Sequence, residues 1–331
     1  MAESRESPLV SLEDITRAVS VLEASPHVDR TGLIRVNPSR YGISANGTEL
    51  YFKLEGMQNK GSFKLRGVVN QLENAPPEVK EGKRTLVTMS AGNYGRSFAY
   101  LCKENQLKGK VVMPDVSPAN RAELIRGHGL EVQLVPTSQL KETVEQCVQK
   151  EDMLFMHPFN DLHLIAGYGS IGYELYQELT NIDIIIVCCG GGGLLAGIAS
   201  YAKLSGKGSN TRLIGVEPEG APTMYLSLKE GRAVEKPDAK SIAGGLSPPY
   251  AGTNTYQIVK EFVEEVVLVS DDEIKESVRL LYNNGLVVEP SGAAGLTALR
   301  CGKIRDIDGK KIAVIISGSN VSPQELVNIM Q

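Results

Sequence analysis

Lys64 stands in GSFKLRG (61–67), between a Gly-Ser pair and a second glycine, where a helical pattern begins. A lysine there is either a solvated surface charge or an imine-forming nucleophile. The second needs its amine held out of water beside an anionic cofactor. A second stretch with chemical content is IDIIIVCC running into GGGGLLAGIA, where Gly190, Gly191, Gly192 and Gly193 leave a strand and open a helix. Glycines allow positive φ and leave backbone N–H groups uncovered, and a helix start attracts phosphate through free donors and its dipole. A tight strand–helix turn needs one or two glycines, so four favour an anion site. Gly191–Ala196 also matches the G-x-G-x-x-A dinucleotide fingerprint, with Glu217 ending the next strand where a ribose-binding acid would stand. On this stretch alone a NAD-dependent oxidoreductase competes.

Two further strand ends are polar. TLVTMSAGNYGRSFAY turns at Ser90-Ala91-Gly92-Asn93-Tyr94-Gly95, and KIAVIISGSNV turns at Ser317-Gly318-Ser319-Asn320. The first is either a capped turn or a small cradle for a carboxylate; the second is either a plain turn or a ligand contact.

The elements that must position these residues are legible as alternation. Apolar β-branched runs at 86–90, 110–115, 131–136, 153–158, 182–189, 212–218, 264–270 and 311–317 alternate with segments of helical spacing. SDDEIKESVRLLYNNG carries a cap signal at one end and Asn-Gly at the other. This order gives an α/β chain with mostly parallel sheets and helices on both faces, and ligands beyond the carboxyl ends of the strands. NAPPEVKEGK (74–83) reads as a linker and 236–252 as a loop.

At 331 residues, 42% hydrophobic and 22% charged, the chain has room for two domains with ordinary cores. A net charge of −4 without a basic block argues against nucleic acid, and no apolar run is long enough to span a bilayer. The acidic N-terminus has no apolar signal region. Five cysteines without metal spacing point to a reducing, cytoplasmic compartment. The four histidines, at 27, 128, 157 and 163, show no ligand spacing.

Together, SFKLRG, SAGN, GGGGLLAG, VVEPSGA (287–293) and ISGSN (316–320) resemble, in order and over nearly the whole chain, the fold-type II pyridoxal-phosphate (PLP) enzymes. The resemblance is to the serine and threonine dehydratases and serine racemases. It implies two open twisted-sheet domains like the tryptophan synthase β-subunit: 1–75 with 159–331 as the large PLP-binding domain, and 76–158 as a small inserted domain closing over substrate. It makes Lys64 the Schiff-base lysine and later a base. Gly190 to Gly193 and Leu194 become the phosphate loop, Asn93 the partner of the phenolic oxygen, Phe63 a ring contact, and Ser317 the partner of the pyridine nitrogen. Ser90, Ala91, Gly92, Asn93 and Tyr94 become the substrate site. The NAD reading falls, because it predicts nothing about Lys64, Asn93 or Ser317. The implied reaction is α,β-elimination of L-serine or L-threonine to a 2-oxo acid and ammonia, by a homodimer with a small amino-acid substrate. The alternatives are a racemase, elimination on another β-substituted amino acid, or a catalytically weak PLP-binding protein.

Departures from that pattern narrow the reading. Ala91 stands where racemases carry a proton-moving serine, which favours elimination. Tyr94, Tyr168, Asn160 and Gly244 replace residues common in dehydratases. Some relatives bind a divalent cation between a glutamate and an aspartate. Here Glu217 is present but Thr223 stands at the aspartate position, and even with Glu219 as a substitute this is a poor oxygen set, so Glu217 is only a weak candidate and no metal is expected. The chain stops soon after ISGSN, so no C-terminal regulatory domain is expected either.

Overall fold

The computed structural model describes residues 9–44, 46–117 and 119–331. Ten strands build two sheets. They are β1 (Leu33–Val36), β2 (Glu49–Leu54), β3 (Leu86–Met89), β4 (Gly109–Pro114), β5 (Glu131–Val135), β6 (Leu154–Phe155), β7 (Ile184–Cys188), β8 (Arg212–Pro218), β9 (Glu265–Val269) and β10 (Lys311–Ile316). The helices of the first half are α1 (Leu12–Ala24), α2 (Lys64–Glu73), α3 (Pro77–Lys80), α4 (Asn93–Glu104), α5 (Ala119–Gly127) and α6 (Leu140–Glu151). Those of the second are α7 (Leu162–Glu178), α8 (Gly193–Leu204), α9 (Thr223–Glu230), α10 (Thr253–Phe262), α11 (Asp271–Asn283), α12 (Pro290–Arg300) and α13 (Pro323–Met330).

The larger sheet has the order β1-β2-β10-β7-β8-β9 and is parallel except for the β1–β2 pair. Its central strands, IIIVC and KIAVII, are buried almost throughout because helices cover both faces, α12 on one and the α7–α8 layer on the other. The smaller sheet, β5-β4-β3-β6, is wholly parallel and drawn entirely from residues 86–155. One continuous apolar core joins side chains of both sheets, including Leu86 of β3 and Ile186 of β7, with Phe98, Leu164 and Leu195 of the helices between them. A second, smaller core of Val87, Val112, Val144 and Cys147 lies under α6.

All eight expected strands occur at their places, several a residue or two shorter, with β6 cut to two residues. Ser270 and Glu273 form the capping box that opens α11, and Gly285 follows that helix at φ +84°. Within the expected linker, Pro77–Lys80 is a single helical turn, and the 236–252 loop contains a short turn at Gly244–Leu246 and a bridge from Tyr250 to Glu235. The pair β1 and β2 is additional to the sequence reading.

Candidate active site

The end of β10 is stitched to the segment that carries Lys64. Phe63 N–H donates to the Ser317 carbonyl at 3.2 Å, and Ser319 N–H to the Gly61 carbonyl at 2.9 Å, with a bridge between Ser62 and Gly318. Gly61 makes the turn at φ +75°, which favours glycine. Lys64 then becomes the first residue of α2, beside Ser317. Its Nζ donates to the Pro158 carbonyl at 2.9 Å and lies 5.1, 5.6 and 5.9 Å from the ring centres of Phe63, Tyr168 and Tyr94. No carboxylate pairs with it among the described residues. Burial therefore pulls the amine down to about 8, although the neighbouring Cys188 works the other way.

His157 belongs to the same wall. Its Nδ1 accepts from the amides of Phe159 (3.3 Å) and Asn160 (3.0 Å), which places the proton of the neutral ring on Nε2, 3.4 Å from Tyr250 Oη. Burial, helped by the Lys64 charge, pushes this imidazole down to about 4. It is a neutral ring that holds the Phe159–Asn160 backbone in place.

The glycine loop lies between β7 and α8. Gly192 has φ +91°, and a Cβ on Gly190 would come within 2.9 Å of the Gly245 carbonyl and Leu246 Cα. Phe159 covers Gly191 closely, and Thr255 Oγ1 donates to the Gly191 carbonyl at 2.7 Å. Among the described residues no backbone carbonyl accepts from the amides of Gly190, Gly191, Gly192, Gly193 or Leu194. Five N–H groups at a helix start are therefore left to a ligand.

The SAGN turn meets the other strand ends through Asn93. Its Nδ2 donates to Glu289 Oε1 and its Oδ1 accepts from Asn320 Nδ2 at 2.8 Å, leaving one Nδ2 hydrogen uncommitted. Burial pushes the Glu289 carboxyl up to about 7, against the bond from Asn93. Ala91, Gly92 and Asn93 line a cavity of about 600 Å³ with Gly244, Gly245, Ser291 and Asn320. Ser90 is partly spent locally, because its Oγ accepts from Gly92 and Gly95 N–H at 3.3 and 3.1 Å. Tyr94 departs from the expected substrate role. Its side chain is buried and its hydroxyl donates to Gln71 Oε1 of α2 at 2.7 Å, because α2 packs on this face of α4.

Ser317 is buried, and Cys188 Sγ donates to its Oγ at 3.2 Å, so the serine hydrogen is free to point elsewhere. Cys188 and Glu289 are site residues to which the sequence reading gave no role. Glu289 lies within VVEPSGA, and Cys188 ends a buried apolar strand, which by itself accounts for a cysteine there. The Glu217 side chain sits at the start of α9. Its carboxylate accepts from the Met224 and Tyr225 amides at 2.8 Å each and from Thr223 Oγ1 at 3.3 Å, capping α9. No cluster of three acidic, His or Cys side chains suited to a metal occurs among the described residues. Asn160 is likewise structural, its Oδ1 accepting from Asn254 and Thr255 N–H at 2.8 and 3.3 Å.

A part-buried amine at a helix start, near a glycine loop with unpaired amides, is the arrangement that holds a phosphorylated aldehyde. The sequence profile of the family described as pyridoxal-phosphate dependent enzyme matches residues 24–318. The chain belongs to that family. Among its relatives, an L-threonine ammonia-lyase of Thermotoga maritima is 34% identical over 316 residues, covering 95% of this chain and 76% of the relative. A serine racemase of Dictyostelium discoideum is 36% identical over 290 residues, covering 86% and 88%. The solved structure of that racemase superposes with a TM-score of 0.83, covering 95% of this chain and 99% of the other. The fold is thus that of the type II PLP enzymes, and PLP is the cofactor. The residues present fit it: the loop amides suit a phosphate, Lys64 suits the aldehyde, and the buried Tyr168 hydroxyl is still without a partner.

Proposed function

We propose that this PLP enzyme is an L-serine/L-threonine ammonia-lyase, and that the observation carrying this reading is the Lys64 amine, part-buried, unpaired with any carboxylate among the described residues and depressed to about 8. PLP, when bound, draws electrons from the substrate α-carbon and makes its proton acidic. Lys64 Nζ, neutral in a useful fraction near pH 7, takes that proton. The Ala91–Gly92–Asn93 turn receives the substrate carboxylate, with Ser90 holding the turn in shape. Asn93, through its uncommitted Nδ2 hydrogen, and Ser317, through its hydroxyl hydrogen, orient the ring, and Phe63 packs on it. Loss of the α-proton and the β-hydroxide leaves an enamine that water converts to a 2-oxo acid and ammonia.

Elimination is favoured over racemisation because Ala91 puts a methyl group on the turn that lines the cavity. A methyl group cannot return a proton to the opposite face of the α-carbon. The relatives include both ammonia-lyases and racemases, so this side chain carries the choice. The reading includes residues 76–158 as a small unit that closes over substrate, no bound metal, and a cytoplasmic homodimer. The five free cysteines agree with a reducing compartment.

The test is 2-oxo acid release from L-serine and L-threonine by the PLP-loaded enzyme, with D-serine assayed in parallel. Wild type is expected to release 2-oxo acid with little D-serine, and Lys64→Ala to lose at least about a thousandfold in rate. D-serine as the main product would replace the lyase by a racemase. A Lys64→Ala protein as active as wild type would overturn the mechanism.

A further inference from the structure

Helix α7 runs between α2 and α8, and Tyr168 fills the gap where those two helices begin. A Cβ on Gly197 would sit 2.9 Å from Tyr168 Cβ, and one on Gly193, a turn earlier, would sit 3.3 Å from its Cε2. The side chain therefore lies along α8 toward its first residue, with the hydroxyl at the leading end. On the other side, a Cβ on Gly67 would come within 2.7 Å of Cζ, so α2 reaches the ring only because residue 67 is glycine. Phe63 meets the ring edge-on at 4.8 Å, and Lys64 Nζ is 5.6 Å from its centre.

Tyr168 is 0% exposed and its Oη has no hydrogen-bond partner among the described residues. A buried hydroxyl left unbonded is costly, so native structures seldom keep one without a ligand or an ordered water. Burial, with Asp161 acting in the same direction, lifts this phenol well above its ordinary value, so it is a donor. What lies beside it also donates: the uncommitted amides at the start of α8, where Gly193 packs on the ring. A group that accepts from all of them is an anion with several oxygens.

We propose that Tyr168 is a phosphate-binding residue, its Oη donating to the phosphate of PLP seated on Gly190–Leu194. The proposal rests on this chain's being a PLP enzyme and not on the choice between lyase and racemase, so the two fail separately.

Tyr168→Phe removes the hydroxyl and keeps the ring. Binding to protein stripped of cofactor would be followed by visible absorbance for PLP and for pyridoxal, which lacks the phosphate. The variant is expected to bind PLP about ten- to a hundredfold more weakly, the loss of one hydrogen bond to a charged group. Pyridoxal binding should change by no more than about twofold, and the stripped variant should unfold no earlier than stripped wild type. Unchanged PLP affinity would overturn the proposal. So would equal losses for PLP and pyridoxal, which would mean that the hydroxyl serves packing instead. An experimental structure of the wild-type holoenzyme decides without the variant: Oη within about 3 Å of a phosphate oxygen supports the assignment, and Oη bonded elsewhere overturns it.

Discussion

An ordinary lysine is neutral in about one molecule in three thousand at pH 7; an amine at about 8 is neutral in about one in ten. That difference comes from burial against three aromatic rings with one carbonyl for company. Only the neutral amine attacks an aldehyde, so the rate at which stripped protein takes up PLP should rise about tenfold per pH unit below about 8 and level off above it. Stopped-flow absorbance across pH 6–10 would show this, and a rate still climbing at pH 10 would mean a hydrated lysine. At this scale the sequence showed residue types and missed orientations. Lys64, Asn93 and the glycines could be picked out because their neighbours in sequence announce a turn and a helix start. Tyr94 could not be placed, because its hydroxyl is claimed by Gln71, 23 residues away. Nor could the Cys188 thiol be connected with Ser317, 129 residues on.

Helix α2 presents Lys64, and what fixes α2 is a cluster of buried charges. Arg66 donates to Glu55 Oε2 at 2.9 Å and to Glu174 Oε1 at 2.6 Å, and Lys53 Nζ pairs with Glu174 Oε2 at 2.5 Å. Burial alone would raise the Glu174 carboxyl; Arg66 and Lys53 overcome it and hold that group below its ordinary value. Its stabilising share is therefore present above about pH 4.5 and lost as pH falls through the lowered value. Arg66→Met should cost about 3–5 kcal/mol, because it leaves two buried carboxylates to a single lysine. It should also move acid unfolding to higher pH. Urea unfolding at pH 7 with an acid titration checks both, and an unchanged urea midpoint would show that the charges do not hold the helix. The same cluster explains why β2 escaped sequence reading. Lys53 and Glu49 make ELYFKL look half-polar, yet Lys53 is fully buried, its charge answered from α7, 121 residues later. Alternation of strand and helix needs only local spacing, so the eight parallel strands were legible; a buried ion pair needs the folded neighbour.

Across the whole molecule, Asn93 at the start of α4, next to the smaller sheet, is bonded to Glu289 and Asn320, next to the larger one. Arg121 and Glu325 approach across the same cavity at 3.4 Å, half exposed and worth little. The Asn93–Glu289 contact is the buried one, and it titrates where the enzyme would work, since burial pushes the carboxyl up to about 7. A carboxyl raised in the folded state binds its proton more tightly there than in the unfolded chain. Between about pH 4.5 and 7 stability therefore falls as pH rises, and above 7 the full cost of a buried anion remains. Glu289→Gln removes that cost while keeping a carbonyl oxygen for Asn93. The variant should be more stable than wild type at pH 8, by on the order of 3 kcal/mol if nothing else moves, with the difference shrinking toward zero near pH 4.5. Chemical denaturation of both proteins at pH 5 and pH 8 measures it. Equal stability at pH 8 would mean that the carboxylate stays hydrated in the cavity, and that its contact with Asn93 is not a dry one.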